Sequence, residues 1–457
     1  MIKIFTLAAL GMCASAQTSE QLHTLVETYK YLHMNPELSH HEAQTAAFVA
    51  KELSTLGFTV TEGIGKYPDA QAYGLVGVLK NGAGPVVLVR TELDALPVEE
   101  RTGLPYASHS RGVMHACGHD LHMTSFLGTA RMLVEKKAQW RGTLMFVGQP
   151  SEETIDGSRA MLADGFYERF GKPDFAIALH DSANLEAGKV AIGSGYVMAS
   201  ATAVEVTIRG LGGHGAWPEN TKDPVVTAAQ VVLALQTIVS RQISPLDPAV
   251  VTVGSIHGGS KNNIIPDEVK LQLSVRAYRE EVRLKILAAI ERTARGIALA
   301  AGIPEDRAPI VKSSETEVTP ALYNDPALTA RVETALKKTL GAGNVVEAKP
   351  VMGSEDFGRF GLEGRQIPVC MFNLGAVEPA KVAESLKTGV PLPSLHSSLF
   401  APVPEPSIRT GVAAMTAAVL ELLADSRKTD SLPAPKPAVF LFPLAPPAAA
   451  FALLGKP

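Results

Sequence analysis

Short apolar runs of the buried-strand type alternate with helical patterns along most of this chain. "GPVVLVRTELDAL", "GTLMFVGQ", "DFAIALH" and "IPVCMFNLG" read as strands, whereas "LHMTSFLGTARMLVEKK" and "DPALTARVETALKKTL" have helical spacing. Strands that alternate with helices are typical of an α/β layer. We therefore expect an α/β fold, with a helical segment over 19–56. We also expect a β-hairpin at "NGAG", between "AYGLVGVLK" and the next strand.

Residues 196–312 form a different pattern inside this α/β framework. Their predicted elements follow the order β-α-β-β-α-β, which is typical of a ferredoxin-like unit. The α/β character returns after it, so the unit reads as an insertion. The sequence predicts a first catalytic segment at 17–195, an inserted domain at 196–312 and a second catalytic segment at 313–427.

Both ends of the chain differ from this core. Residues 1–16 combine Lys3, an apolar stretch and Ala14-Ser15-Ala16, which is typical of a secretory signal peptide and predicts a periplasmic or secreted protein. Residues 428–457 are rich in Pro and Ala, and their prolines argue against a membrane-spanning helix. No stable membrane insertion is expected, and no function is assigned to this tail.

The charge of the chain limits the classes of partner it can bind, and its cysteine content bears on whether a disulfide forms. The 457 residues carry a formal net charge of -4 and contain no Lys/Arg-rich run, which argues against nucleic acid as a partner. A small-molecule substrate is expected instead. Removal of the signal would leave Cys117 and Cys370, and we do not expect them to pair, because Cys117 lies in a segment suited to a thiolate ligand.

That segment, "MHACGHDLHM", places Cys117 two residues before His119. Positions i and i+2 of a helix do not share a face, so both side chains reach one site only from a loop or an irregular helix start. Thiolate and imidazole are good ligands for zinc and similar ions. Alone, this spacing is a weak signal, since a free cysteine is often a small core residue.

Further polar side chains follow other strands. Glu152 and Glu153 come directly after "GTLMFVGQ", His180 ends "DFAIALH", and His396 lies in the loop "SLHSSLF". Residues beyond the carboxyl ends of parallel strands meet at one sheet edge. One carboxylate could bind metal while its neighbour transfers protons. Together these types suit a two-metal site.

The ordered series of motifs resembles the metal-dependent N-acyl-amino-acid amidohydrolases, of the hippurate hydrolase and indole-acetyl-amino-acid hydrolase type, and more distantly carboxypeptidase G and acetylornithine deacetylase. The resemblance covers roughly residues 20 to 425. The matching motifs are "LHMNPELSHHEAQTAAFVAKEL", "VVLVRTELDALPVEE", "MHACGHDLHM", "GQPSEE", "GLGGHGAWPEN", "GGSKNNIIPDEV" and "MGSEDFGRF". The resemblance implies a zinc-peptidase-like catalytic domain with an inserted lid domain, through which members of the family often form homodimers.

The resemblance also implies a site. Two divalent metal ions (zinc, manganese or cobalt) would share Cys117, with His119, Glu153, His180 and His396 as the other ligands. Glu152 would be the general base and acid for a metal-activated water that cleaves the amide bond of N-acyl amino acids or small peptides. His214 would stabilise the oxyanion, either within one chain or across a dimer interface, and Asn263 and Arg276 would contact the substrate.

Four positions keep more than one interpretation. Asp94 either supports a metal ligand or caps a strand, and Asp120 either supports a ligand or caps the following helix. Arg276 either holds a substrate carboxylate or forms a surface salt bridge. Glu92 stands where the family usually has Asp, which could alter support of the site. Seven further histidines are interpreted as structural or surface residues without a role in the site: His33, His40, His41, His109, His115, His122 and His257.

Two other functions compete with the amidohydrolase. In one, Cys117 is a covalent nucleophile with His119 as its base, which would leave the two glutamates and the other histidines without a role. In the other, the chain is a secreted metal-binding protein that has lost activity. The complete ligand set argues against the second alternative.

Overall fold

The computed structural model describes residues 17–362 and 364–424. The signal-peptide and tail predictions fall on residues outside these ranges. The helices are α1 (Ser19–Met34), α2 (Ala43–Thr55), α3 (His119–Glu135), α4 (Gly157–Ala163), α5 (Phe166–Phe170), α6 (Pro224–Thr237), α7 (Glu280–Ala300), α8 (Pro326–Leu340), α9 (Pro379–Thr388) and α10 (Pro404–Leu423).

The strands are β1 (Thr59–Ile64), β2 (Gly74–Asn81), β3 (Val86–Glu92), β4 (Gly142–Gln149), β5 (Phe175–Glu186), β6 (Val190–Ile192), β7 (Gly195–Met198), β8 (Ser200–Arg209), β9 (Gly213–His214), β10 (Ala249–His257), β11 (Ile264–Ile265), β12 (Glu268–Ala277), β13 (Ile310–Thr319), β14 (Leu322–Asn324), β15 (Val345–Glu347) and β16 (Val369–Val377).

Eight strands form the main sheet, in the order β1-β2-β4-β3-β5-β16-β6-β15. Its centre, β4-β3-β5-β16, is parallel, so the carboxyl ends of these strands meet at one edge. Helices α1, α3 and α10 pack together on one face over a large apolar core, and a second apolar cluster covers the other face. The predicted α/β fold is confirmed. The polar side chains predicted as ligands lie at the carboxyl ends of these central parallel strands.

The inserted unit has its own four-stranded sheet, in the order β10-β12-β8-β13. Helices α6 and α7 cover one face through a separate apolar core, and the element order is the expected β-α-β-β-α-β. Strand β13 continues to Thr319, beyond the predicted end at residue 312. Residues 224–242 are long and apolar enough to cross a membrane by composition alone, but part of this segment packs against the lid sheet.

Two local predictions are wrong. The helical segment over 19–56 is split into α1 and α2, because the Asn35-Pro36 pair interrupts it; α1 begins with a capping box between Thr18 and Gln21. No hairpin forms at "NGAG". Strand β4 lies between β2 and β3, antiparallel to the first and parallel to the second. The tight-turn signal is local, whereas the pairing is decided by burial of β4 in the sheet centre.

Candidate active site

The turn at Gly118 brings Cys117 and His119 to one place. Gly118 has a φ of 77° and immediately precedes α3. A Cβ at this position would lie 2.3 Å from Oδ2 of Asp181, so the chain needs glycine for both reasons. This irregular helix start overcomes the unfavourable spacing of two residues.

Five side chains converge at this edge of the sheet. Sγ of Cys117 lies 3.5 Å from Nε2 of His180 and 3.3 Å from Nε2 of His396. Oε1 of Glu153 is 3.6 Å from His396 Nε2 and 3.9 Å from His119 Nε2. Among the groups of ligand atoms that lie within 4.8 Å of one another, two share the Cys117 sulfur: Cys117, His119 and His180, and Cys117, Glu153 and His396. The shared sulfur is what a bridged pair of ions would require.

The histidine rings are oriented by their other nitrogens. Nδ1 of His119 donates to the backbone oxygen of Asp94 at 2.8 Å, and Nδ1 of His180 donates to the backbone oxygen of Asp181 at 2.8 Å. Both Nε2 atoms are thereby left for a ligand. Nε2 of His119 and Oε1 of Glu153 are buried without a hydrogen-bond partner among the described residues. Such atoms are costly unless a cation is bound, so the residues fit a metal centre.

His396 reaches the centre from a distant loop. Its backbone N–H donates to the backbone oxygen of Ala116 at 2.8 Å, which joins this loop to the Cys117 segment. The residue has a φ of 65°, a rare conformation for a side chain larger than glycine. Its imidazole is 54% exposed, so this ligand lies at the open side of the centre.

The turn after β4 presents the paired glutamates. Ser151 and Ile155 have φ values of 53° and 61°, so the turn is strained at both ends. The Glu42 carboxylate accepts from the Ser151 N–H at 2.7 Å and from its hydroxyl at 3.0 Å. The Glu153 N–H donates to the Asp94 carboxylate at 3.0 Å. Neighbouring segments of the chain thus fix the direction of both glutamates.

Asp94 is a buried partner of the centre. Its carboxylate Oδ1 is 3.5 Å from Nδ1 of His119, and its Oδ2 accepts from the Ser39 hydroxyl at 2.7 Å. Together with the contact to the Glu153 N–H, these contacts favour the supporting role over a strand cap.

Protons and negative charge are concentrated at this site. Burial raises the pKa of the Glu152 carboxyl well above its usual value, and the carboxylates of Glu355 and Glu153 raise it further. Burial and Glu153 also raise the pKa of the Cys117 thiol. Burial alone would lower the pKa of His119, but Asp94 and nearby carboxylates raise it to about 10. Divalent cations would displace these protons on binding.

A buried ionic network lies beside Glu152. The Arg90 guanidinium donates to Gln149 at 2.9 Å, Glu355 at 2.7 Å and Asp356 at 3.1 Å, and it also pairs with Glu92. It thereby joins β3 and β4 to the loop before Phe357. Arg90, Glu355 and Asp356 were not predicted to act as a group, although all three lie in the matching motifs "VVLVRTELDALPVEE" and "MGSEDFGRF".

His122, interpreted from sequence as structural or surface, is buried directly behind the centre. Its Nδ1 donates to the Glu92 carboxylate at 3.0 Å, and its Nε2 accepts from the Asp181 N–H at 2.8 Å. Burial opposes the charge of Glu92, but Arg90 and His122 hold its pKa well below the usual value. The signals were the spacing of three residues from His119 and the Asp directly after His180.

Asp120 does not cap α3, so that interpretation is wrong. The N-cap position is Gly118, and Asp120 lies inside the first turn. Its carboxylate instead accepts from Nδ1 of buried His33 at 2.6 Å, and Nε2 of His33 lies 3.2 Å from Glu100. Its Oδ1 accepts from the Leu121 N–H at 2.8 Å in the first turn, so Asp120 connects the start of α3 to α1.

His214 and Asn263 lie together on the lid, away from the five ligands in their described contacts. They line an open cavity of about 580 Å³ on the short β9–β11 pair. The Ala216 N–H donates to Nδ1 of His214 at 3.1 Å, so a neutral ring carries its proton on Nε2. The imidazole is exposed and can donate from Nε2.

Arg276 joins the lid to the catalytic part. Its guanidinium donates to the backbone oxygen of Met352 at 3.1 Å and to the Ser354 hydroxyl at 3.2 Å. Among the described residues it forms no salt bridge, so that alternative is wrong. The contact places Arg276 next to the loop that leads to Glu355.

Comparison with known proteins agrees with this geometry. Residues 88–388 match the model of Peptidase family M20/M25/M40. The chain is 39% identical to hippurate hydrolase of Campylobacter jejuni over 332 residues, 72% of this chain and 82% of that protein. It is 36% identical to N-acetyl-L-cysteine deacetylase of Bacillus subtilis over 338 residues, 73% and 76% of the two chains.

A solved structure shares the architecture. The YxeP protein of Bacillus subtilis, a dinuclear metal-binding peptidase from the M20 family, superposes with a TM-score of 0.71 at 26% identity, covering 89% of this chain and 99% of that chain. Sequence and fold lead to the same assignment: this chain belongs to Peptidase family M20/M25/M40.

Proposed function

We propose that this protein is a dinuclear-metal amidohydrolase that cleaves N-acyl amino acids to a carboxylic acid and a free amino acid. The observation that carries the proposal is that the Nε2 atoms of His180 and His396 both lie within 3.5 Å of the Cys117 sulfur. The hydrolases and deacetylases of N-acyl amino acids among the similar proteins support the substrate class. The chain is a hydrolase of amide bonds by its family membership.

The residues divide the chemistry between them. Cys117, His119 and His180 would hold one ion, and Cys117, Glu153 and His396 the other. Two divalent ions supply Lewis acidity toward the amide carbonyl and lower the pKa of water. Glu152 accepts the proton that the attacking water loses and delivers it to the leaving amine nitrogen. Its buried position beside Glu153 suits a group that must both take and return a proton.

His214 supplies a hydrogen bond to the developing oxyanion in this proposal. Its free Nε2 donor supports that role, but none of its described contacts reaches the ligand set within one chain. Lid closure or a second subunit must therefore bring it there. The lid helices expose Leu233 and Leu299 at 72% and 73%, which supports a homodimer through the lid. Light scattering of the purified protein tests this.

The metal identity and the cellular location are further parts of the proposal. The ligand types fit zinc, manganese or cobalt, and reconstitution of metal-free protein with each ion tests which one restores turnover. The signal-like residues 1–16 support export to the periplasm or the exterior. Amino-terminal sequencing of the mature protein, with Gln17 expected first, tests export.

The decisive experiment replaces Glu152 with Gln in the metal-loaded enzyme. Wild type and variant are each assayed on a panel of hippurate, N-acetyl amino acids, indole-acetyl amino acids and dipeptides. We expect the variant to keep its metals but to lose about 10²–10⁴-fold in kcat. Glu347→Gln, an exposed glutamate on β15, is the matched control. Wild-type turnover by Glu152→Gln would refute its role.

The two alternatives predict other results. A Cys117 nucleophile would keep its activity in a chelator and lose it to iodoacetamide. A binding protein without activity would retain metal and hydrolyse no member of the panel.

A further inference from the structure

A cavity of about 790 Å³ lies where the root of the lid meets the catalytic part of the chain. None of the five proposed metal ligands is among the described residues that line it. Four arginines do line it: Arg159, Arg283, Arg359 and Arg365. We call this space the arginine cavity. Its volume is in the range of small-molecule binding sites.

Its positive charge is only partly balanced by the carboxylates in its wall. Glu280 is engaged by Arg283, with contacts of 2.7 and 2.5 Å. Asp325 accepts from the Leu328 N–H at 2.8 Å as the cap of α8. Within residues 17–362 and 364–424, Arg159 and Arg359 form no salt bridge. One terminal nitrogen of Arg359 donates to the backbone oxygen of Val318, which leaves its charge without a paired carboxylate.

The guanidiniums of Arg159 and Arg359 are partly buried and lie near each other. The Nε atoms of Arg159 and Arg359 are buried without a hydrogen-bond partner among the described residues. Burial lowers the pKa of Arg359; the Asp356 carboxylate opposes this shift and the positive charge of Arg159 adds to it. Buried donors without acceptors are costly, and a bound anion would satisfy both.

Aromatic rings complete the wall. The Arg365 guanidinium lies 3.5 Å from the ring centroid of Tyr323 and 5.1 Å from that of Tyr196, and it donates to the Tyr196 hydroxyl at 3.0 Å. The Tyr196 and Tyr278 rings are stacked at 5.8 Å. Rings of this kind offer a planar apolar surface beside the cationic groups.

We propose that the arginine cavity binds a small organic anion, with its carboxylate or phosphate group on Arg159 and Arg359 and a planar part against the tyrosines. This site is separate from the metal centre and does not depend on the proposed function. Because Tyr196, Tyr278 and Arg283 belong to the lid and its root, whereas Arg159 and Arg359 belong to the catalytic part, a bound anion would contact both.

Calorimetric titration of the full-length, metal-loaded protein tests the proposal. Benzoate and phenyl phosphate carry the same ring and distinguish a carboxylate from a phosphate ligand, and inorganic phosphate tests the need for the ring. We expect saturable binding of at least one ring-bearing probe. Arg159→Gln and Arg359→Gln should each weaken it about tenfold or more, which corresponds to loss of one charged hydrogen bond. Arg295→Gln, on the exposed face of α7, should leave it unchanged.

Several results would overturn the proposal. One is no saturable binding of either ring-bearing probe at millimolar concentration, and another is binding that both glutamine variants retain, which would place the probe at the metal centre. Glu363 follows Leu362 in sequence and lies outside the described residues. Binding that appears only in Glu363→Gln would mean that the chain neutralises its own arginines.

Charge-retaining variants guard against a folding defect. Arg159→Lys and Arg359→Lys should keep measurable binding and a native circular dichroism spectrum. If both lysine variants fold as the wild type but bind no better than the glutamine variants, charge at these positions does not hold the anion and the proposal fails.

Discussion

The Glu42 carboxylate receives both hydrogen-bond donors of Ser151, the residue directly before the catalytic glutamate pair. Ser151 has a left-handed backbone, and its hydroxyl also accepts from the His40 N–H at 3.0 Å. A segment near the amino terminus therefore holds the strained turn that aims Glu152.

We expect Glu42→Ala to lower kcat about 10- to 100-fold, because a small displacement of a catalytic group has that effect. The variant leaves the buried Ser151 N–H without an acceptor, which costs about 1–3 kcal/mol in the free energy of unfolding. Metal content should stay near that of the wild type. Steady-state kinetics, metal analysis and urea denaturation measure the three quantities.

Glu42→Gln is the matched comparison, since its amide oxygen can still accept from Ser151. It should recover most of the lost activity. Equal kcat for the wild type and Glu42→Ala would show that the turn keeps its shape without this contact.

Gly118→Ala should weaken metal binding at least about tenfold and lower the free energy of unfolding by about 2 kcal/mol or more. The new Cβ would meet the Asp181 carboxylate, which lies next to His180 and contacts His122. Dialysis against graded metal concentrations and thermal denaturation measure both effects.

Substitutions at two other glycines distinguish the effect of backbone strain from that of the contact with Asp181. Gly103 has a φ of 73° and open space around it, so Gly103→Ala reports backbone strain alone. Gly296 lies inside α7 with nothing near, and Gly296→Ala should be neutral or stabilising. If Gly118→Ala behaves like Gly103→Ala, the Asp181 contact is unimportant.

The sequence identified the residues whose chemistry is unusual, but not their supporting partners. Cys117, Glu153, His180 and His396 could be selected because ligand-type side chains followed predicted strands or lay in loops, and the structure brings them together. The pairing of Arg90 with Glu355 spans 265 residues and leaves no local pattern. Such pairs depend on which buried polar groups meet after folding, which periodicity does not encode.

The fold shows the same division. Strand and helix types follow from local apolar spacing, which is why the inserted β-α-β-β-α-β order was predicted. The position of β4 between β2 and β3 depends on burial of the whole sheet, so the turn signal at Asn81 and Gly82 was misleading.

Cys117→Ala should lose metal at both ion positions, because its sulfur belongs to both ligand sets. We expect metal affinity to fall at least about tenfold, by analogy with losses from weaker supporting contacts. Cys370→Ala is the matched control, since Cys370 is also a buried free thiol but contacts Thr329 in the core. Metal content after dialysis and kcat should change only in the first variant. Full metal retention by Cys117→Ala would rule out a shared sulfur.

The His33 ion pairs predict a pH dependence of stability. Burial alone lowers the pKa of His33, but Asp120 and Glu100 raise it to about 10, against an ordinary value of 6.5. Because the folded pKa is the higher one, the stabilisation is complete below about pH 6.5, declines as the pH rises and is lost above about pH 10. It should amount to a few kcal/mol, since one pKa unit is worth about 1.4 kcal/mol.

The measurement is the difference in the free energy of unfolding between wild type and His33→Gln, from urea denaturation between pH 6 and about pH 10. The difference should be largest at the acidic end and shrink steadily, because the folded wild type keeps the His33 proton that its unfolded chain releases above about pH 6.5, and the variant has no such proton. His257→Gln, on the exposed lid strand β10, should show no such trend. A constant difference across the range would mean that His33 is neutral in the folded protein and that its contacts to Asp120 and Glu100 are ordinary hydrogen bonds.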